Sequence, residues 1–368
     1  MASTAPTIAI DARELTASTG RYVERLIHYL QEIDQTHKYI ILLNPGDFAN
    51  WQPTNKNFKK VVCPYKEFTF DEQIALKDQL IQLQPDLVHF AMIQQPVLYK
   101  GKVVTTIHDL TTARFRNPSK NPAVFITKQQ VYKWVIKRVA HKSNAIITPT
   151  EYVKEDIAKF ARINSRKITV TYESADPILE KPEPLHKLEN EDFIMFVGRP
   201  QPHKNLYRLI AAFNLLQQSK PGLKLVLAGK TDPTYIQVEQ WVTDQAIKNV
   251  IFTGFVSEAQ LKWLYLNCRA YIFPSLSEGF GLPGLEAMCH GAPVVSSNLT
   301  SLPEIYGDAA LYFDPLDVDD MKTKILEVLN NSKLRDGLIE KGKNQIKKYS
   351  WQKMAEQTLK IYETVLEN

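Results

Sequence analysis

Two carboxylates lie on either side of a tight corner in the second half of the sequence. The stretch SEGFGLPGLEAM (277–288) places Glu278 before a glycine- and proline-rich turn and Glu286 after it. Glycine allows backbone conformations that other residues avoid, and proline fits the first turn of a helix. We therefore expect a strand to end near Glu278 and a helix to begin near Pro283.

Such a corner suits a ligand that carries both phosphates and hydroxyl groups. Free N–H groups at a helix N-terminus, together with the helix dipole, favour a diphosphate. A carboxylate accepts two hydrogen bonds from neighbouring hydroxyls, so Glu286 suits a ribose and Glu278 a sugar ring. The corner predicts a nucleotide-sugar site. The alternative is a glutamate that only balances the helix dipole.

Two further stretches carry side chains that fit the same ligand. FVGRPQPHKN places Gly198, Arg199 and Lys204 after an apolar run, and TTIHDL places His108 and Asp109 after another. Gly198 allows close approach of the backbone, and two cations beside it would neutralise a diphosphate leaving group without a metal. A histidine can hydrogen-bond a substrate hydroxyl. Surface ion pairs and a structural histidine are the alternatives.

The elements that must position these residues follow from short apolar runs that alternate with helix-periodic segments. This alternation predicts α/β domains with doubly wound parallel sheets, whose ligands bind at the carboxyl ends of the strands. The expected strands are Thr7–Asp11, Lys38–Asn44, Leu87–Phe90, Lys102–Asp109 and Ala145–Thr150, then Phe193–Arg199, Leu223–Gly229, Val250–Phe255, Ala270–Ser275 and Pro293–Ser297.

A segment rich in proline and charge divides the two series of strands. We predict an N-terminal Rossmann-like domain at 1–172, a linker at 173–192 and a C-terminal Rossmann-like domain at 193–349, which face each other across a cleft. A length of 368 residues fits two domains. The linker is the expected hinge of domain closure.

Charge is unevenly distributed between the two halves. Residues 1–175 contain 24 Lys and Arg against 16 Asp and Glu, and the remainder contains 21 against 24. The most basic helical candidate is 114–142, which combines basic and apolar side chains: Lys128, Lys133, Lys137, Arg138 and Lys142 with Phe125, Trp134, Val135 and Ile136. This face suits an anionic membrane or a lipid-linked diphosphate. The alternative is a packed helix with solvated lysines. Nucleic acid is not expected, because no recognised binding module accompanies the charge.

The cysteines and the N-terminus bear on the compartment. Cys63, Cys268 and Cys289 show no metal-binding spacing, which favours free thiols in a reducing compartment. The N-terminus does not read as a signal peptide, and no apolar run approaches the length of a membrane span. We expect a cytoplasmic location, with peripheral contact to the inner face of the cell membrane as a further option.

Taken together, these motifs resemble the retaining GT-B glycosyltransferases of glycosyltransferase family 4. The likeness covers nearly the whole chain and is strongest in the two-glutamate corner and in SLPEIYGDAALYFDP (301–315). TIHDL, TPTEYVKEDI and FVGRPQPHKNL agree in order and position. The closing segment, 350–368, looks like the final helix of the family, which returns to the first domain.

The resemblance implies transfer of a sugar from a nucleotide diphosphate donor to an acceptor, with retained configuration and neither metal nor other cofactor. By motif, Arg199 and Lys204 would hold the diphosphate, Glu278 and His108 would contact the donor sugar, and Glu286 would bind the ribose. Backbone at Phe280, Gly281 and Leu282 would support sugar and phosphate.

The loop after the first strand departs from the family pattern. Many relatives carry two or three glycines there, whereas IDARELTASTGRYVERL contains Gly20 alone. Gly20 and Arg21 would contact phosphate or, as we prefer, shape the acceptor site. Retention of configuration by double displacement needs a nucleophilic carboxylate. Asp109 is the one evident candidate in the part of the cleft that the first domain forms. The family view is instead a front-face reaction.

The donor and acceptor are the least determined parts of this interpretation. The EGFGLPGLEAM form looks most like mannosyltransferases that use GDP-mannose, with a saccharide or lipid-linked acceptor in glycan or cell-envelope biosynthesis. A UDP-sugar donor (glucosyl, galactosyl or N-acetylhexosaminyl) is the alternative. Two other functions compete with a glycosyltransferase. One is a nucleotide-sugar hydrolase or epimerase, and the other is a non-catalytic nucleotide-sugar-binding scaffold. A non-catalytic scaffold has no chemical reason to keep all five polar site residues, so their presence argues against it; they are Arg199, Lys204, Glu278, Glu286 and His108.

Overall fold

The computed structural model describes residues 5–16, 19–115 and 122–368. The chain divides into two compact units, each built around one parallel sheet. The first unit comprises Met1–Ala113, Thr127–Glu173 and Ser350–Asn368, and the second comprises Arg114–Ile126 and Ser174–Tyr349. The predicted α/β class with two doubly wound parallel sheets is confirmed.

The first unit contains a seven-stranded sheet in the order β3-β2-β1-β4-β5-β6-β7, with every pair parallel. Its interior strands are almost wholly buried, as expected for a sheet covered on both faces. The strands are β1 (Thr7–Asp11), β2 (Lys38–Leu43), β3 (Phe58–Val62), β4 (Leu87–Phe90), β5 (Val103–Thr106), β6 (Ala145–Thr148) and β7 (Ile168–Val170).

The second unit contains a six-stranded parallel sheet in the order β10-β9-β8-β11-β12-β13. Its strands are β8 (Phe193–Val197), β9 (Lys224–Ala228), β10 (Val250–Gly254), β11 (Ala270–Phe273), β12 (Val294–Ser297) and β13 (Ala310–Phe313). Strand order reverses between β8 and β11, so the loops that follow these two strands diverge. This is the position where ligands bind in open parallel sheets.

Helices connect the strands in both units. They are α1 (Gly20–Ile33), α2 (Pro45–Asn50), α3 (Phe70–Leu83), α4 (Thr111–Arg114), α5 (Pro122–Lys142), α6 (Glu151–Ala161), α7 (Leu206–Leu216), α8 (Pro233–Asp244), α9 (Glu258–Asn267), α10 (Leu282–Cys289), α11 (Leu302–Tyr306), α12 (Val318–Asn330), α13 (Ser332–Gln345) and α14 (Trp351–Glu367). The last helix, α14, packs against α1 in the first unit.

A buried polar network attaches α14 to the first sheet. His89, in β4, is hydrogen-bonded through Nδ1 to the Tyr362 hydroxyl at 2.5 Å and through Nε2 to the Thr106 hydroxyl at 2.8 Å. Tyr22 of α1 also reaches Thr106, at 2.9 Å. Because every member is partnered, the network orients α14 without leaving a buried polar group unsatisfied.

The segment after the first unit is fastened to the second unit. The Lys262 ammonium donates to the carbonyls of Ile178 (2.7 Å) and Glu180 (2.8 Å), and the Ile178 N–H donates to His290 Nε2 at 3.1 Å. Leu188 is buried. Thus much of the predicted linker packs on the second unit although it forms no strand or α-helix.

Helix α5 packs on the first unit through one face only. Ile136, Val139 and Ala140 are buried, whereas Val131 and Trp134 are 56% and 57% exposed. Lys128, Lys137 and Arg138 are also exposed. Trp134 therefore lies with the basic side chains and not with Ile136. The side chain of Phe125 lies outside the described residues. In the described part of the chain, no helix is long and apolar enough to cross a membrane.

Candidate active site

The corner lies directly after β11 in the second unit. Residues 274–281 form an irregular, mostly buried turn, and α10 begins at Leu282 with Gly281 as its N-cap. Gly281 has φ of +99°, a left-handed conformation that favours glycine. Pro283 follows within the first turn of α10, where a missing N–H costs little. The helix start expected near Pro283 is confirmed, whereas β11 ends at Phe273, five residues before Glu278.

Lys204 and Glu278 meet at the carboxyl edge of the second sheet. The Lys204 ammonium lies 2.6 Å from Oε1 of Glu278, and the two side chains retain 18% and 13% exposure. The ammonium also lies 5.5 Å from the centre of the Phe273 ring. The structure thus brings together one predicted cation and one predicted carboxylate from loops 74 residues apart.

Backbone and amide hydrogen bonds fix the loop that carries Lys204. The Leu276 N–H donates to the His203 carbonyl at 2.7 Å. Asn205 takes a left-handed conformation (φ +60°) and its side-chain amide donates to the carbonyls of Pro274 and Pro315. The loop after β8 is therefore tied to the loop after β11 on both sides of Lys204.

Glu278 is held through its own backbone. Its N–H donates to the Thr300 hydroxyl at 3.1 Å, and its carbonyl accepts from the Ser301 hydroxyl at 2.9 Å. The carboxylate is consequently directed by contacts made outside the corner. Sequence reasoning assigned no role to Thr300, Ser301 or Asn205, although all three lie in or beside stretches singled out as motifs.

The other predicted donor-binding residues lie in this turn, in α10 and directly after β8. Phe280 is buried with its ring edge-on to Tyr349, at 5.6 Å between centres. Leu282 and Glu286 are half-buried in α10. Gly198 follows β8 with φ of +143°, and Arg199 is exposed beside it. Within the second unit, the predicted residues thus lie on the loops after β8 and β11 and on α10.

His108 lies in the first unit, after β5, with both ring nitrogens engaged. Burial alone would lower its pKa, but the hydrogen bond and charge of Glu173 outweigh burial and raise it. In the protonated form, Nδ1–H donates to Glu173 at 3.1 Å and Nε2–H to the Ala91 carbonyl at 3.0 Å. A sugar contact by His108 would require the exchange of one of these bonds, so that role stays a prediction.

The remaining predicted residues of the first unit have structural contacts of their own. Asp109 accepts the Thr111 N–H at 2.7 Å and so forms a turn directly before the short helix α4. Gly20 begins α1, and Arg21 is exposed beside it. Their roles at phosphate or acceptor stay predictions.

Sequence reasoning missed a buried arginine at the carboxyl edge of the first sheet. The Arg13 guanidinium bonds to both oxygens of Asp11, to Glu72 at 3.1 Å and to the Tyr65 carbonyl at 2.9 Å. These partners are the last residue of β1, a residue of the loop after β3 and a residue of α3. Arg13 therefore links the end of β1 to the segments that follow β3, two strands that β2 separates in the sheet. The signal was present in the sequence, since an arginine two residues after a strand-ending aspartate invites such a pair.

No group of three or more His, Cys, Asp or Glu side chains that could hold a metal ion occurs among residues 5–16, 19–115 and 122–368. The three cysteines are free; Cys63 and Cys268 are buried and Cys289 is half-buried. Burial raises the pKa of the Cys63 and Cys268 thiols to about 12, so both stay protonated near neutral pH.

The two parallel-sheet, Rossmann-like units define the GT-B fold, and comparison with known proteins agrees. The profile described as "Glycosyltransferase Family 4" matches residues 19–177, and that described as "Glycosyl transferases group 1" matches residues 178–345. The chain belongs to glycosyltransferase family 4, and it is a glycosyltransferase. The resemblance noted in the sequence is confirmed.

Two similar proteins are named as O-antigen chain mannosyltransferases. The chain is 30% identical over 282 residues to the O-antigen chain mannosyltransferase B of Escherichia coli, covering 71% of this chain and 70% of that protein. It is 32% identical over 251 residues to the O-antigen chain mannosyltransferase RfbU of Salmonella typhimurium, covering 68% and 66%. A sucrose-phosphate synthase from Thermosynechococcus elongatus superposes with a TM-score of 0.78 at 16% identity, over 98% of this chain and 99% of that one. This last likeness shows the fold alone.

Proposed function

We propose that this glycosyltransferase moves a mannosyl residue from GDP-mannose to a saccharide or lipid-linked acceptor of a cell-envelope glycan, with retention and without a metal. The single observation that carries the proposal is the Lys204–Glu278 pair at the start of the glycine corner. Two relatives that are named as O-antigen mannosyltransferases support the choice of sugar and pathway class.

In the proposed reaction, the two cations take the place that a metal ion fills in other transferases. Lys204 and Arg199 neutralise the diphosphate as the bond from the anomeric carbon to the phosphate oxygen breaks. Glu278 accepts hydrogen bonds from donor-sugar hydroxyls, and Glu286 accepts them from the ribose. The N–H groups of the first turn of α10 face the diphosphate.

Retention follows from a front-face path. The acceptor hydroxyl attacks the side that the diphosphate leaves, and its proton passes to the departing phosphate oxygen. A carbon–oxygen bond forms where one broke, and the nucleoside diphosphate leaves with the proton. The transient sugar cation lies near the Glu278 carboxylate, which stabilises its charge. No carboxylate nucleophile is needed.

We further propose that α5 contacts an anionic membrane surface and so brings the enzyme to a lipid-linked acceptor on the cytoplasmic face. Trp134 and Val131 are exposed beside Lys137 and Arg138, a combination suited to the headgroup region. Flotation with vesicles containing phosphatidylglycerol tests this contact. Binding that Trp134→Ser and Arg138→Ser do not reduce would contradict it.

The nucleotide is tested by thermal shift of the full chain with GDP, UDP, ADP and dTDP, each with and without EDTA. A ligand that binds only the folded state raises the melting temperature by mass action. We expect a selective shift with GDP that survives EDTA, is lost in Glu286→Gln and is kept in Glu363→Gln, an exposed glutamate of α14.

Three other results would each change the assignment. A selective UDP shift would replace GDP-mannose by a UDP-sugar. A shift that EDTA abolishes would end the proposal of metal independence. A protein that responds to none of the four nucleotides at millimolar concentration would contradict the donor site itself and favour a scaffold. The configuration of the product, read from its anomeric proton by NMR, decides between retention and inversion.

A further inference from the structure

A buried tyrosine lies directly beneath the glycine corner. Tyr306, the last residue of α11, is fully buried, and its hydroxyl donates to the Gly281 carbonyl at 2.5 Å. A Cβ atom at Gly281 would lie 2.6 Å from that hydroxyl, and one at Gly284 would overlap the hydroxyl and the ring. The ring therefore occupies the space that side chains at both glycines would need.

The position of Tyr306 is itself fixed from the far side. The carbonyl of the preceding residue, Ile305, accepts from the Gln345 amide at 2.6 Å and from the Tyr349 hydroxyl at 2.8 Å. At the other end of α11, the Ser301 hydroxyl donates to the Glu278 carbonyl. Tyr306 thus sits in a short helix whose two ends are tied down, one of them to the corner.

The Tyr306 hydroxyl is the second hydrogen-bond donor to the Gly281 carbonyl. Gly281 is the N-cap of α10, and its oxygen already accepts the Gly284 N–H at 3.1 Å. Tyr306 occupies the second lone pair. A carbonyl bonded from both sides has little freedom to rotate, so the direction of the first turn of α10 is set with it.

The Tyr306 ring also lies near the aromatic side chain that contacts Lys204. Tyr306 and Phe273 lie 6.3 Å apart between ring centres, and the Lys204 ammonium lies over Phe273. One buried ring therefore adjoins both the corner and the aromatic side chain against which Lys204 rests.

We propose that Tyr306 is a positioning residue for the donor: it holds the Gly281 carbonyl and the Gly284 backbone at the spacing that aims the N–H groups of α10 and Glu286 at the nucleotide. This inference rests on the proposed donor site. It also explains why glycine is needed at 281 and 284, since any larger residue would displace the ring.

Tyr306→Phe tests the hydroxyl in the full-length protein, with Tyr235→Phe as the matched control. Tyr235 is also buried in the second unit, and its hydroxyl has no hydrogen-bond partner among the described residues. We expect Tyr306→Phe to weaken GDP binding by about fivefold in calorimetry, the effect of one hydrogen bond. The control should bind as wild type. Equal affinity in Tyr306→Phe and wild type would overturn the proposal.

A double-mutant cycle tests the ring. Gly284→Ala should weaken nucleotide binding strongly in the wild-type background, because the new methyl group overlaps Tyr306. In a Tyr306→Ala background the methyl group has room, so the further loss should be several-fold smaller. If Gly284→Ala lowered nucleotide affinity by the same factor in both backgrounds, the contact between Gly284 and Tyr306 on which the proposal depends would be contradicted.

Amide hydrogen exchange of the nucleotide-free protein separates this proposal from the proposed function. Tyr306→Phe should speed exchange in peptides covering 281–289, and Tyr235→Phe should not. If the wild type binds none of the four nucleotides but exchange still responds, the donor site fails and the positioning of the corner stands. If nucleotide binds and neither affinity nor exchange responds, Tyr306 has no such role.

Discussion

Lys204 and Glu278 neutralise each other before any donor arrives. An ammonium has three N–H donors, and the contact with Glu278 uses one of them. Lys204 can therefore receive a phosphate oxygen while it keeps the carboxylate in place. The pair is only partly exposed, so its attraction is stronger than that of a surface ion pair. The arrangement reads as a preorganised site in which little has to move.

Loss of the Lys204 ammonium should affect turnover more than binding. Lys204→Ala removes charge stabilisation that grows as the diphosphate leaves, and we expect kcat to fall by about 100-fold or more. Acceptor affinity should change little. Arg199→Ala should act in the same direction but less, because Arg199 is exposed. Steady-state kinetics with each substrate varied separately makes the measurement.

Lys333→Ala is the matched control for this experiment, since Lys333 is an exposed lysine of α13 in the same unit. Its kinetics should equal those of the wild type. If Lys204→Ala lowered kcat and raised the acceptor KM by the same factor, a transition-state role for the ammonium would be contradicted.

At this scale, sequence reasoning located the charged residues but not those that hold them. Arg199, Lys204, Glu278 and Glu286 could be predicted because their chemistry suits a ligand. Thr300, Ser301 and Tyr306 act through backbone atoms of the corner. A hydrogen bond to a carbonyl leaves no mark in the type or spacing of the residue that accepts it, so only coordinates reveal such partners.

Among the elements, sequence patterns missed three of the four edge strands and predicted the fourth, β10. β3, β7 and β13 all lie at the edge of a sheet. β3 contains Lys59 and Lys60, and β7 is three residues long. Edge strands are often short and charged, which hides the apolar run that marks an interior strand. The interior strands were predicted to within a few residues because burial on both faces makes them mainly apolar.

The attachment of α14 to β4 depends on a neutral histidine. Burial lowers the pKa of His89 to about 3, well below its ordinary value near 6.5. The unfolded chain therefore binds a proton on this side chain between those two values and the folded chain does not. Stability from this group is complete above about pH 6.5 and falls as the pH is lowered toward 3.

His89→Gln should reduce the acid sensitivity of the first unit. Glutamine can hydrogen-bond Tyr362 and Thr106 but does not titrate. Below about pH 6.5, the wild type should lose about 1.4 kcal/mol of unfolding free energy per pH unit from this group, and the variant should not. Urea unfolding at pH 7.0 and 5.5 measures the difference. Equal losses in both proteins would show that His89 does not carry the effect.

At the scale of the whole molecule, the chain passes between the two units repeatedly. It leaves the first unit after Glu173 and returns to it at Ser350. Tyr349, the last residue before the return, bonds to the Ile305 carbonyl and packs on Phe280. Glu173, at the other crossing, holds His108. The crossings after Glu173 and Tyr349 therefore begin beside residues of the predicted site.

Because α14 returns to the first unit, we expect its deletion to affect the two units unequally. A stop codon after Tyr349 removes α14, whose Trp351, Met354 and Tyr362 are buried in the first unit. Removal leaves His89 without its Tyr362 partner and exposes the apolar surface of α1 that α14 covers. We expect the first unit to unfold or become readily proteolysed, although the deleted residues lie at the far end of the chain.

The second unit should survive this truncation, because its sheet and the Lys204–Glu278 pair involve no residue of α14. Hydrogen exchange should show lost protection in β1 and β4 and near-native protection in β8 and β11. A stop after Leu366 is the control, since Glu367 and Asn368 are exposed. Uniform loss of protection in both sheets would mean that the units fold as one and that α14 stabilises the molecule as a whole.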